Sequence, residues 1–247
     1  MSYNIYTFAQ RSDLNDQADA LIEASWSAFM LNDEVANEYY GHLYDWFSSY
    51  QFMLTDEADK VMAVGNAIPF YWDGTTEGLP KGWDDVFLQG IEDYRQEKQQ
   101  PNALSALSIS IDPHYRGLGL SKQMVTAMKD IAKENGLAYV VAPVRPSLKH
   151  KYPLTPMDKY VQWKTTDDAP FDPWVRTHWK LGATIMQVAP ESMLIRGSLM
   201  EWESWTGMKF PESGSYIIPD ALVPVQVDVE KNEVIYIEPN IWMQHFL

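Results

Sequence analysis

The 247-residue sequence contains no cysteine. Disulfides, thiolate metal ligands and cysteine nucleophiles are therefore excluded, and the absence favours a reducing, cytoplasmic location. Long apolar runs are also missing, since none approaches the roughly 20 residues that a membrane span needs. Residues 1–16 lack the basic region and apolar core of a signal peptide. We therefore predict a cytoplasmic protein without a membrane partner.

Basic residues are scarce, with 19 lysines and arginines against 34 acidic residues and a net charge of −15. Nonspecific nucleic-acid binding needs a basic footprint, so a nucleic-acid partner is excluded. The negative charge would attract a cationic substrate such as an amine. Solubility alone explains the same charge, and both interpretations stand. No metal-binding motif is identified, so no metal is predicted.

Apolar periodicity predicts a single α/β domain over residues 1–247. Residues 145–173, which contain five prolines, form an inserted loop, and residues 190–247 form a C-terminal extension with further β segments. The predicted helices cover 12–26, 34–47, 83–99, 120–135 and 173–181. The predicted strands cover 51–54, 61–70, 104–111, 138–144, 223–228 and 234–237.

The most informative segment, residues 104–136, has the pattern of a strand, a turn and a helix. Leu107, Ile109 and Ile111 alternate with serines and share one face of a period-2 strand. Pro113 closes this strand because proline cannot donate to the ladder. An amphipathic helix follows, with apolar positions Leu120, Met124, Ala127, Met128 and Ile131.

Gly117 and Gly119 stand where this strand leads into the helix. Backbone N–H groups at the positive end of a helix dipole form a ready anion site. A dinucleotide fingerprint would need a third glycine where Lys122 stands, and no P-loop motif is present. A nucleotide-binding oxidoreductase therefore fits less well, while a plain strand-to-helix turn remains an alternative.

Two segments resemble the GNAT N-acyltransferases. The run from Ile109 to Ser121 is similar to that family's acyl-CoA signature, Q/R-x-x-G-x-G/A after a strand. Arg116 and Gly119 match the signature, and Ser121 stands where glycine or alanine is usual. Downstream, His-Trp-Lys-Leu-Gly-Ala at 178–183 resembles the family's Tyr-Glu-Lys-Leu-Gly-Phe segment.

The resemblance implies an α/β fold with a mixed, mostly antiparallel sheet flanked by helices. It implies transfer of an acyl group, expected to be acetyl, from acyl-CoA to a primary amine of a small molecule or peptide. A non-catalytic acyl-CoA sensor is the alternative, and thioester turnover distinguishes the two. A homodimer is compatible with either function.

The resemblance also assigns the cofactor-binding residues. The backbone of Ile109, Ser110 and Ile111 would bind the pantetheine arm. Glycine allows a close approach to phosphate oxygens, and backbone N–H groups supply charge-assisted hydrogen bonds. The turn residues implied in pyrophosphate binding are Arg116, Gly117, Leu118, Gly119, Leu120, Ser121 and Lys122.

His178 occupies the position at which the family often has a tyrosine that protonates the departing thiolate. Histidine can do this near neutral pH, although it can also simply pack near the helix C-terminus. In the inserted loop, Tyr160 and Trp163 are predicted to bind the acceptor, since aromatic side chains are common in such pockets. Burial in the core is the equal alternative for both.

Overall fold

A computed structural model describes residues 3–97 and 99–247. Its strands are β1 (Asn4–Thr7), β2 (Phe52–Thr55), β3 (Val61–Phe70), β4 (Ala103–Ile111), β5 (Tyr139–Val144), β6 (Thr184–Gly197), β7 (Gly214–Tyr216), β8 (Val225–Asp228) and β9 (Glu233–His245). Across these described residues they form one sheet in the order β1-β2-β3-β4-β5-β9-β8-β7, with β6 also paired to β9. β4 and β5 are parallel, and the other registered pairs are antiparallel. The predicted mixed, mostly antiparallel sheet is confirmed.

The helices are α1 (Asn15–Ser25), α2 (Glu34–Tyr39), α3 (His42–Asp45), α4 (Trp83–Gln96), α5 (Leu120–Glu134), α6 (Met157–Tyr160), α7 (Pro173–Lys180) and α8 (Leu199–Thr206). Successive strand residues point to opposite faces. α4 packs with Ile68 and Phe70 of β3, whereas α5 packs with Ala63 and Ala67, so the two helices cover opposite faces of the sheet. In the part of the chain that the structure describes, no helix is both long and apolar enough to cross a bilayer.

The apolar face predicted for α5 is confirmed, since its five predicted positions are all buried. The predicted single helix over 34–47 is wrong. Around Gly41 the backbone hydrogen bonds change to the i→i−3 pattern, with Leu43 N donating to Tyr40 O and Tyr44 N to Gly41 O. Glycine has low helix propensity, and the segment divides there into α2 and α3.

Of the two C-terminal strands predicted, β8 is slightly shorter than expected and β9 is longer. β9 extends from the predicted 234–237 to His245, where its second half pairs with β5. The helix α8 was not predicted, although Ser198 and Glu201 form a capping box at its start. The inserted loop contains the short helix α6 and a 3₁₀ turn at Lys149–Lys151.

β4 and β5 diverge along their length. In the described residues, the two strands pair only where Ala103–Ser105 lies opposite Tyr139–Val141. Beyond that point β3 holds β4 as far as Ile111, while β9 holds β5 as far as Val144. The facing edges therefore carry backbone groups without a strand partner. The glycine turn follows directly where β4 ends at this gap.

A pair of acids, the buried Asp33 and the half-buried Asp84, connects α2, α4 and β6. Asp33 Oδ1 caps α2 by accepting from Ala36 N at 2.8 Å, and Asp84 Oδ2 accepts from Leu194 N at 2.9 Å. Their other oxygens, Asp33 Oδ2 and Asp84 Oδ1, are buried without a donor among the described residues. Burial raises the pKa of both carboxyls, and the charge of Asp33 raises the pKa of Asp84 further. The pair therefore holds a proton that ordinary aspartates lose.

We expect Asp84→Asn to lose less stability than the wild type as the pH rises. The native pair binds a proton that unfolded aspartates release near pH 4, so the free energy of unfolding falls as pH rises through the raised native pKa values. Each pKa unit is worth about 1.4 kcal/mol. From pH 5 to pH 8 the wild type should therefore lose about 1 kcal/mol or more relative to Asp84→Asn.

Urea unfolding at several pH values measures this difference, and groups common to both proteins cancel in it. Asp85→Asn is the matched control, because Asp85 lies in the same first turn of α4 and accepts from Lys81 N at its surface. Parallel stability curves for wild type and Asp84→Asn would contradict the shared proton.

Candidate active site

A cavity of about 890 Å³ opens between the diverging strands β4 and β5. It is continuous with the glycine turn before α5 and with residues beyond the end of β5. Residues from distant parts of the chain complete its wall. The lining includes Ser108–Ile111, Tyr115–Gly117, Gly119–Ser121, Ala142–Arg145, Trp83, Trp174, Thr177, His178, Met193, Asp220, Glu238 and Asn240.

The glycine turn presents an uncapped helix start to this cavity. Gly117 and Gly119 have φ values of +80° and +77°, in the left-handed region that glycine adopts most easily. Gly119 is the N-cap of α5, where no side chain bonds to the first helical N–H groups. No neighbouring atom lies within 4 Å of a Cβ built on either glycine. These backbone N–H groups are therefore open to an anion.

Most of the residues predicted to bind the cofactor line the cavity. Those of the turn are Arg116, Gly117, Gly119, Leu120 and Ser121, and Ile109, Ser110 and Ile111 come from β4. Leu118 is 57% exposed and lies outside the lining, as does the exposed Lys122. Lys122 instead donates its backbone N–H to Gly119 O at 3.1 Å. The side chains at these two positions thus lie outside the cavity wall.

His178 lines the cavity from α7 and is 3% exposed. Its Nδ1 lies 2.8 Å from Nε2 of His245, a pairing that joins α7 to β9. Burial, followed by the neighbouring His245, lowers the pKa of His178 to about 3. Burial also lowers the pKa of His245 to about 4. Both rings are therefore neutral at physiological pH, and one donates to the other.

The outer nitrogens of this histidine pair are His178 Nε2 and His245 Nδ1. Both are buried and make no hydrogen bond within residues 3–97 and 99–247. Buried polar atoms are nearly always paired, so His178 Nε2 retains an unused hydrogen-bonding position on a residue that lines the cavity. Trp174 packs edge-on against His178 at 4.3 Å and fixes the ring.

Tyr160 and Trp163 are not brought to the cavity. The Tyr160 side chain is buried, and its hydroxyl donates to Asp172 Oδ2 at 2.9 Å. Both rings belong to an aromatic cluster with Tyr152 and Phe171. These aromatic residues of the inserted loop thus pack against one another outside the cavity lining, and the predicted contact with the acceptor stays a prediction.

Asp172 explains why this loop is ordered. Its carboxylate caps α7 through Trp174 N and Val175 N. It also accepts from Ser147 N and Leu148 N, at the opposite end of the loop. The loop therefore fixes the start of α7 and, through that helix, the position of His178.

A buried polar network was not foreseen from the sequence. Glu238 is fully buried in β9 and accepts from Arg145 Nε at 2.9 Å through both oxygens. Tyr236 and Asn240 donate to the same carboxylate at 2.8 and 3.1 Å. Ser192 links Asn240 to the start of α4 by hydrogen bonds of 2.6 and 2.8 Å. A charged residue inside an otherwise apolar strand was the signal that could have revealed it.

The sequence of this chain is similar to those of known proteins. Residues 18–154 match the acetyltransferase (GNAT) family. The arginine N-acetyltransferase avaD of Aspergillus versicolor is 33% identical over a 273-residue alignment, which covers 98% of this chain and 93% of that relative.

Solved structures of similar fold cover nearly the whole chain. The loading GNATL domain of CurA from Lyngbya majuscula has a TM-score of 0.65 at 18% identity, covering 100% of this chain and 98% of its own. The GphF GNAT-like decarboxylase, solved with isobutyryl-CoA, has a TM-score of 0.54 at 15% identity and 98% coverage of both chains. At such identities these likenesses show the fold.

Proposed function

Because the chain belongs to the GNAT family and is an N-acetyltransferase, we propose that it transfers the acetyl group of acetyl-CoA to arginine or a close analogue of arginine. The family uses acyl-CoA as its donor. The relative from Aspergillus versicolor, named for arginine acetylation, supports the acceptor. The observation that carries the proposal is the uncapped, glycine-lined start of α5 beside the open edge of β4.

The residues around the gap fit acyl-CoA. The open N–H groups between Gly117 and Lys122 suit a pyrophosphate, and Arg116 adds a positive charge at the same turn. The unpaired edge of β4 at Ile109–Ile111 suits an extended amide-bearing arm, which can bond to backbone in the manner of an added strand. Leu118 would contribute through the backbone of the turn rather than through its side chain, whereas the backbone N–H of Lys122 already donates to Gly119 O.

We propose that His178 protonates the departing thiolate. Acetyl-CoA supplies an activated thioester: the neutral amine forms a C–N bond with its carbonyl carbon, the C–S bond breaks, and one proton passes from nitrogen to sulfur. His178 Nε2 is free to take that proton from the attacking amine when its Nδ1–H donates to His245 Nε2. His178 then gives the same proton to sulfur as the C–S bond breaks. The ring is neutral before and after the transfer, as its low-dielectric surroundings favour.

A CoA-release assay with acetyl-CoA and a panel of amino acids, amines and short peptides tests this function. We expect arginine to release CoA at a rate well above the hydrolysis seen without an amine. Mass spectrometry should find one acetyl group added to the acceptor. Tight binding of acetyl-CoA without CoA release by any amine would instead identify a non-catalytic acyl-CoA sensor.

A further inference from the structure

One arginine offers a hydrogen-bonding edge to the cavity. Arg145 follows the last residue of β5, and its side chain is 24% exposed. Its Nε donates to Glu238, and its Nη2 donates to Asp220 O at 2.7 Å. Nη1 has no hydrogen-bond partner among the described residues, while Arg145 itself lines the cavity. The protein thus fixes one part of the guanidinium and leaves the other part free.

The counter-charge of this arginine also lines the cavity, but its hydrogen-bonding capacity is used within the protein. Glu238 is fully buried, and its oxygens accept from Arg145, Tyr236 and Asn240. The carboxylate therefore holds the guanidinium in place and has no lone pair left for a ligand. Asp220 lines the same cavity and contacts Arg145 through its backbone oxygen. Arg145 Nη1 thus offers this wall a charged donor for an anion.

We propose that Arg145 is the subsite for a carboxylate on the acceptor, so that the enzyme selects amino acids over simple amines. This rests on the proposed acetyl transfer and adds the chemical class of the acceptor. Guanidinium and carboxylate match in charge and in planar geometry, and a guanidinium already held by protein loses little freedom on binding. Glu238 acts as a positioning residue for Arg145, and Ser192 and Asn240 extend that support into the core.

Acceptors that differ only in the carboxylate test the subsite in the wild-type enzyme. Arginine, arginine amide and agmatine carry the same side chain, but the amide has no charge at this position and agmatine has no such group. A charge-assisted contact of this kind predicts a kcat/KM for arginine about 10- to 100-fold above that of the other two. Equal kcat/KM values would overturn the subsite while leaving acetyl transfer intact, whereas no CoA release from any acceptor would contradict the proposed function itself.

A double variant links the selectivity to Arg145. The single change Arg145→Met would leave Glu238 buried without its partner and endanger folding. Arg145→Met combined with Glu238→Gln removes both charges together. We expect this enzyme to lose the preference for arginine over arginine amide, with KM for acetyl-CoA unchanged. Arg145→Lys, which keeps the positive charge but not the planar guanidinium, should retain part of the preference.

Arg196→Met is the matched control, since Arg196 is exposed on β6 and lies outside the cavity lining. It should keep the full preference. A double variant that still prefers arginine over its amide would overturn the assignment. A raised KM for acetyl-CoA with unchanged acceptor selectivity would do so as well, because it would place Arg145 at a phosphate of the cofactor.

Discussion

Replacing His178 with alanine should lower kcat by about 10²- to 10⁴-fold, the usual contribution of a positioned general acid. The affinity for acetyl-CoA, measured by calorimetry, should stay nearly the same, because we assign phosphate binding to the turn before α5. His178→Tyr should restore part of the lost rate, since a phenol can also protonate a thiolate. An alanine variant with full kcat across the pH range would remove the acid from this side chain.

His245 provides a test of how His178 is positioned. His245 Nε2 accepts from His178 Nδ1–H and so leaves His178 Nε2 open to take the amine proton. His245→Gln can still accept that hydrogen bond through its side-chain oxygen, so kcat should stay close to that of the wild type. His245→Leu has no acceptor, so the tautomer of His178 is no longer fixed and kcat should fall. Equal kcat values in the two variants would contradict this positioning role.

The pH profile separates a neutral histidine acid from a charged one. The pKa values of about 3 for His178 and about 4 for His245 predict that both rings are uncharged from about pH 5 upward. The kcat profile should consequently show no histidine inflection between pH 5 and pH 8. A decrease in kcat centred near pH 6.5, the ordinary histidine pKa, would indicate an imidazolium acid instead.

Gly119→Val should weaken acetyl-CoA binding by about 10-fold or more, the scale of losing charge-assisted hydrogen bonds. Gly119 has φ +77°, which a β-branched residue adopts only with strain. Valine would either shift the turn or place its side chain over the N–H groups that begin α5. Calorimetric titration with acetyl-CoA measures the change.

The chain offers a matched control at the other end of the same helix. Gly136 has φ +71°, and like Gly119 it has no atom within 4 Å of an added Cβ. Gly136→Val should therefore cost similar backbone strain and lower the melting temperature, yet leave acetyl-CoA binding unchanged. Equal, tight binding by folded Gly119→Val, or equal losses in the two variants, would refute a specific role of the turn.

The sequence predicted well those parts of the site that local pattern determines. β4, the glycine turn and α5 are consecutive in the chain, and their periodicity and turn residues are enough to place them. The gap between β4 and β5 could not be predicted in this way. It depends on β9 pairing with the far edge of β5, and these strands lie about a hundred residues apart.

The same distance explains which site residues were missed. Arg145 and Glu238 are 93 residues apart, and His178 and His245 are 67 apart. No spacing rule connects such pairs. The sequence therefore indicated a role for His178 but not its pairing with His245. For Tyr160 the sequence correctly allowed burial in the core as an alternative. The choice between a pocket and a packed cluster depended on Asp172 accepting a hydrogen bond from the Tyr160 hydroxyl.

The insertion of β9 between β5 and β8 has a consequence for how the enzyme becomes active during synthesis. A nascent chain emerges with its N-terminal part first, so the acyl-CoA turn can form while β9 has not yet been made. Until then β5 has an unpaired outer edge, the cavity lacks Glu238, and His178 lacks its partner His245. Pairings across such long separations form slowly. We therefore expect the newly made protein to bind acyl-CoA before it can transfer the acetyl group.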